Sequence, residues 1–197
     1  MSMFDITTYT FFTFSLLTYF TFLGLFFFVK NVISAKYYVI ANAVLLFSCA
    51  ISALGMLDSI FFKNQSYYIA SENLFTTQML LECSFSFALN PLSFSFALLV
   101  LIIGAATNIY ILNYFKNEAD ELTFSFWING FIASMLVLVF AANFFTLFLG
   151  WELIGLTSFF LINFWQAKRS TLKSSFKAFS FNLISDIFLL IALVTFF

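Results

Sequence analysis

Charged side chains punctuate this chain so sparsely that the gaps between them outline its architecture. Asp5 to Lys30 leaves 24 uncharged residues, Lys36 to Asp58 leaves 21, and Glu82 to Lys116 leaves 33. A membrane-crossing helix needs roughly 20 mostly apolar residues, so each gap holds one. Between Glu121 and Lys168 lie 46 residues interrupted only by Glu152. At about 1.5 Å of rise per residue this is too long for one crossing and suits two, with their hairpin near Ala141 to Asn143. Beyond Lys177 the chain runs apolar to its last residue, broken only by Asp186. The pattern predicts an all-α integral membrane protein, one membrane domain over residues 1–197. Its six transmembrane helices are expected over 7–29, 37–57, 91–114, 122–141, 144–166 and 174–197.

The connection from Asp58 to about Asn90 is neither short nor uniformly apolar. Within SYYIASENLFTTQMLLECSFSF, hydrophobic and polar positions alternate with period two from Cys83 to Phe87, which predicts a small β-hairpin between helices two and three. Pro91, the only proline, marks the start of helix three, because the first helical turn has no use for the missing amide.

Composition removes whole classes of function. The chain is 63% hydrophobic and 9% charged, with a mean hydropathy of +1.04. A soluble surface needs about a quarter to a third of its positions charged, so a soluble enzyme is excluded. With no histidine and two cysteines, Cys49 and Cys83, the chain cannot build a Cys/His zinc site, a haem ligand pair or a four-Cys iron–sulfur site. No metal and no cofactor are expected on it, and a redox centre would have to lie on another chain. A formal net charge of -1 leaves no electrostatic footprint for nucleic acid, and the expected surroundings are lipids. Cys49 reads as a small core residue. Phenylalanine supplies 34 residues, the drift of a T-rich genome, which points to an organelle gene.

Charge also orients the spans. Six crossings place Lys30, Lys36, Lys116, Lys168, Arg169, Lys173 and Lys177 on one side, and leave Lys63 opposite beside Asp5, Asp58, Glu72 and Glu82. The positive-inside tendency then sets the N-terminus and the hairpin on the outer face.

Two acids fall within the hydrocarbon zone, Glu152 and Asp186. An acidic side chain near the bilayer centre costs on the order of 3 kcal/mol, and such residues face a bundle interior and mark ion or proton paths. In apolar surroundings a carboxyl can load and release a proton. At 100° per residue, Glu152 shares its face with Gly155, Leu156, Phe159 and Asn163, and Asp186 shares a polar stripe with Asn182 and Ser175. The alternative is an interhelical hydrogen bond or ion pair that fixes packing alone. No basic residue of the chain lies deep enough to pair with either acid, so a partner for Glu152 is expected on another chain. Trp151 and Trp165 read as interface anchors.

The segment ANFFTLFLGWELIGLTSFFLINFW followed by KAFSFNLISD resembles the antiporter-like chain 5 of respiratory NADH:ubiquinone oxidoreductase, complex I. The resemblance rests on Gly150, Trp151, Glu152, Gly155, Ser158, Leu161, Ile162 and Trp165, then on Lys177, Ala178, Phe179, Asn182 and Asp186. Upstream, FSFALNPLSFSF is similar to that family's entry into its third helix, with Asn90 where the family usually has Asp. The resemblance implies that Glu152 pairs with a lysine on a broken seventh helix within a proton-translocating relay, and that Asp186 is the family's aspartate on helix six. Ser158, Asn163 and Asn182 would be supporting polar positions. The family's arginine three positions before that aspartate is replaced by Leu183, and its intervening glycine by Ser185. Flavin and iron–sulfur clusters are implied on other subunits, and partners are implied among the other membrane-arm subunits. The implied location is the mitochondrial inner membrane, with the basic loops in the matrix. The end in an apolar helix reads as an N-terminal piece of a split chain 5, completed by a second polypeptide from about helix seven. A structural membrane scaffold, and a subunit of a multisubunit cation/proton antiporter, remain the alternatives.

Overall fold

The computed structural model describes residues 3–24, 34–57, 67–70, 85–115, 121–165 and 169–196. These form six helices, α1 (Met3–Gly24), α2 (Ala35–Leu57), α3 (Pro91–Tyr114), α4 (Glu121–Phe140), α5 (Phe144–Ile162) and α6 (Arg169–Phe196), and two strands, β1 (Tyr67–Ala70) and β2 (Ser86–Leu89). Five helices contain stretches long and apolar enough to cross a membrane: Ala35–Leu54, Pro91–Tyr114, Glu121–Phe140, Phe144–Ile162 and Ser170–Ala192. In α1 the apolar stretch is Ser15–Gly24. The protein is a multi-pass membrane protein.

Local chemistry sets the helix ends. Asn90 donates its amide to Ser93 Oγ at 2.9 Å, and Pro91 follows as the first helical residue of α3. The hairpin between α4 and α5 occupies residues 141–143, where Asn143 caps α5 by accepting from the Thr146 amide at 2.9 Å. At the other end α5 stops at Ile162, four residues before the expected 166. The Asn163 amide still bonds Phe159 O at 3.0 Å, but the Phe164 amide tightens onto Leu161 O at 3.3 Å and the α pattern is lost. Helix α6 starts at Arg169 rather than at 174. Hydropathy reads its basic residues as loop, whereas a helix can carry Lys173 and Lys177 in its opening turns and let their stems reach the surface. Helix α1 starts at Met3 rather than 7, and its expected end at 29 lies outside the described residues.

Helix α2 packs on α1 and α3, α4 on α3 and α5, and α5 on α6. The core among α1 to α4 is rich in small side chains, Cys49, Ala50, Ala53, Ala97, Ala105 and Ala133, which let the backbones approach closely. Large apolar side chains such as Leu99, Ile102, Ile103 and Ile109 of α3 point outward, as a lipid solvent requires. Inside the same bundle lies a fully buried polar cluster. Asn108 and Asn129 exchange amide hydrogen bonds at 3.1 and 2.9 Å, and the Tyr19 hydroxyl donates to Asn129 O at 3.0 Å. Three helices are thereby joined through groups that lipid could not satisfy.

The strands pair antiparallel, from Tyr67 opposite Leu89 to Ala70 opposite Ser86. Strand β2 is also tied to the α4–α5 turn, since the Ala142 amide donates to Ser86 O at 2.9 Å and the Ser86 amide to Thr146 Oγ1 at 3.2 Å. Cys83, Lys30, Lys63, Lys116, Lys168, Asp58, Glu72 and Glu82 lie outside the described residues.

Candidate functional site

Helix α5 is held in rotation by a glycine. A Cβ at Gly150 would lie 2.8 Å from both Leu138 Cα and Leu138 N, so α4 and α5 meet backbone to backbone at that level. Thr146, Gly150, Gly155 and Thr157 form the buried side of α5. Trp127 of α4 stacks on Phe160 with ring centroids 4.0 Å apart, which secures the same helix pair nearly three turns further along. With that side buried, the adjacent positions Trp151 and Glu152 turn out of the α4–α5 contact, and both are exposed.

Helix α6 runs antiparallel along α5. Trp151 Nε1 donates to Asp186 Oδ1 at 2.8 Å. One turn on, a Cβ at Gly155 would lie 3.0 Å from Asn182 Nδ2. Two turns on, the Phe159 ring sits 5.3 Å from Phe179 and 5.5 Å from Phe176. The polar stripe read around Asp186 is the face that packs: Ser175 is fully buried and Asp186 is 8% exposed. Phe181, Leu183, Ile184, Ile187 and Phe188 occupy the outer face.

The expected site residues therefore separate into three groups. Asp186, Asn182, Gly155 and Trp151 meet at the α5–α6 seam. Glu152 lies beside that seam on its open side, near enough to feel the Asp186 charge. Among the described residues no basic side chain reaches either acid. Ser158 donates to Gly155 O at 2.8 Å and so uses its hydroxyl within its own helix. Asn163 stands at the end of α5, eleven positions and about 16 Å along the axis from Glu152. It closes the helix, and its buried Oδ1 has no hydrogen-bond partner among the described residues.

Trp151 departs from its reading as an interface anchor. It lies eight positions into the helix region, and its indole N–H is spent on Asp186. Nothing in the sequence around Trp151 signals that contact, which only the packing of α6 on α5 brings about. Trp165 does sit at a helix end, stacked on Phe115 at a centroid distance of 6.4 Å. The Asn108–Asn129 pair was also missed, although asparagines in the middle of apolar runs signal interhelical bonding.

The site thus presents one acid held by a neutral donor and a second acid left open, both on helices of membrane-spanning length. Residues 141–197, which contain both acids, match the family described as NADH:quinone oxidoreductase/Mrp antiporter, TM. Over that segment the chain is similar to this antiporter-like membrane family. NADH-ubiquinone oxidoreductase chain 5 of Paramecium tetraurelia is 45% identical over 142 residues, 72% of this chain and 25% of the relative. The protein of the same name from Wickerhamomyces canadensis is 38% identical over 114 residues, 58% of this chain and 18% of the relative. NADH-quinone oxidoreductase subunit L of Mycobacterium tuberculosis is 39% identical over 106 residues, 54% of this chain and 17% of the relative. The match spans about a quarter or less of these relatives. The chain is similar to complex I antiporter-like membrane subunits, and the seam of α5 and α6 is the part of the fold that the family match covers.

Proposed function

We propose that this chain contributes half-channel carboxylates, Glu152 and Asp186, to the redox-driven proton pump of an NADH:ubiquinone oxidoreductase. One observation carries the reading. Glu152 stands on an open helix face beside a second acid, with no cation in reach among the described residues, at a depth where an uncompensated charge is costly. That arrangement calls for a basic group from a further segment on the open face, and the resemblance supplies one as the lysine of a broken helix. The sequence reading places that segment on a second polypeptide resuming near helix seven.

Redox chemistry in this reading belongs to other subunits, which would hold the flavin and the iron–sulfur clusters. This chain's part is to load, hold and release protons. The N-terminus and the β1–β2 pair would face the intermembrane space, and the ends of α2 and α6 that bear Lys36, Arg169, Lys173 and Lys177 would face the matrix of a mitochondrion. The family description also names antiporters, but the relatives reported above all carry oxidoreductase names, which favours the pump.

Glu152→Gln in the assembled complex is the test, because the amide keeps the shape and cannot ionise. The expected result is normal assembly with most proton pumping lost. Normal assembly together with an unchanged proton-to-electron ratio would refute the relay and leave the scaffold reading.

A further inference from the structure

The bond between Trp151 and Asp186 is chemically one-sided. At 2.8 Å it falls in the range of hydrogen bonds to a charged acceptor. An indole offers one N–H and no acceptor, whereas a carboxylate accepts through two oxygens. Trp151 can therefore hold Oδ1 by a lone pair in either protonation state of Asp186, but it cannot take a hydrogen from it. Leu183, which stands where the resembled family carries an arginine, is apolar and on the exposed face of α6. Among the described residues, Asp186 thus has a neutral donor where a cation would be expected. The contact is not free to drift, because Gly155 against Asn182 and Phe159 against Phe176 and Phe179 fix the same two helices in register.

We propose that Trp151 is the positioning residue of Asp186: its indole N–H holds Oδ1, leaving Oδ2 as the oxygen that binds and releases the proton. The inference rests on the proton-carrying role of Asp186 proposed above and specifies how that residue works. Proton uptake forms one O–H bond at Oδ2 and gives the neutral acid. Release breaks the same bond and restores the carboxylate, with the Nε1–H···Oδ1 bond kept throughout. A neutral donor also leaves the negative charge of Asp186 uncancelled beside Glu152. Among the described residues, the charged group beside Asp186 from the helix packed on it is Glu152 on α5; on its own helix Lys177 lies nine positions away, on the exposed side.

The test compares Trp151→Phe, Asp186→Asn and the double variant in the assembled complex, reading proton pumping and the infrared carboxyl band that Asp186→Asn removes. Trp151→Phe keeps a ring and loses the donor. It is expected to lower pumping roughly tenfold, the factor that a hydrogen bond to a charged group commands. It is also expected to shift the Asp186 band, and in the Asp186→Asn background to add no loss of its own. An unmoved band, or an equal loss in both backgrounds, would make Trp151 a packing residue and overturn the proposal. If Asp186→Asn itself pumps at the wild-type ratio, the proton-carrying role of Asp186 fails, and this assignment with it. Should Trp151→Phe not assemble, the bond is read from the other side, through the indole N–H band of 15N-labelled tryptophan in the wild type and in Asp186→Leu. Loss of a strongly bonded N–H on removing the acid supports the assignment, and an unchanged band overturns it.

Discussion

Gly150→Ala adds one methyl group to α5, and the structure says where it would go. Its carbon would sit 2.8 Å from Leu138 Cα and N and 2.9 Å from Leu138 Cβ, where ordinary contact begins near 3.4 Å. The shortfall is 0.6 Å, and it is met by backbone, which no rotamer change can move. The α4–α5 contact must open, and overpacking of this kind costs about 1–3 kcal/mol, here towards the upper end. Gly104 and Gly130 are built-in comparisons. A Cβ at Gly104 meets the Ile132 side-chain tip at 2.9 Å, which can yield, so Gly104→Ala should cost about 1 kcal/mol. At Gly130 the nearest atom is Thr157 Cγ2 at 3.4 Å. There alanine should be neutral or stabilising by up to about 1 kcal/mol, from the helix propensity that glycine lacks. Thermal unfolding of the detergent-solubilised complex, followed by circular dichroism, should rank Gly150→Ala lowest, then Gly104→Ala, then Gly130→Ala at or above wild type. Gly150→Ala as stable as Gly130→Ala would refute the backbone contact and the rotation of α5 derived from it.

Asn129→Leu should destabilise the bundle by about 1–3 kcal/mol, because it takes the donor from Asn108 Oδ1 and removes an acceptor of the Tyr19 hydroxyl; Asn108→Leu/Asn129→Leu should cost less than the two singles together, as a double-mutant cycle would show. Asp186→Asn should impair pumping less than Glu152→Gln, since Leu183 stands where the resembled family carries the arginine near this aspartate; proton-to-electron ratios measured side by side check the order. A cysteine introduced beside Lys116 should react with an impermeant thiol reagent only from the matrix side, and labelling from the intermembrane-space side of intact membranes would reverse the orientation.

Most of the helical plan was legible because lipid is a severe solvent: a charge ends a span, and the spacing of charges located α2 to α5 and the turn at 141–143. The face of Asp186 was legible for the same reason, since Ser175, Asn182 and Asp186 recur with helical period, while Phe181, Ile184, Ile187 and Phe188 lie on the outer face. The helix ends were less so. Whether Asn163 closes α5, and whether Arg169 opens α6, depends on capping and side-chain reach within a few residues, to which hydropathy is blind. Pairings across helices were hidden altogether. Nothing in the apolar run around Trp151 says that its indole meets an acid 35 positions later, and Asn129 alone does not announce Asn108. A polar residue in a membrane helix advertises a need, and only the fold names what meets it.

In the proposed relay Glu152 is an acid awaiting a cation on the open face beside the α5–α6 seam. The structure of the intact complex, read at Glu152, tests it most directly. A lysine or arginine from a segment outside the described helices, with its nitrogen within about 4 Å of the Glu152 carboxylate, is the predicted finding. Glu152 facing lipid chains or only neutral side chains would contradict it.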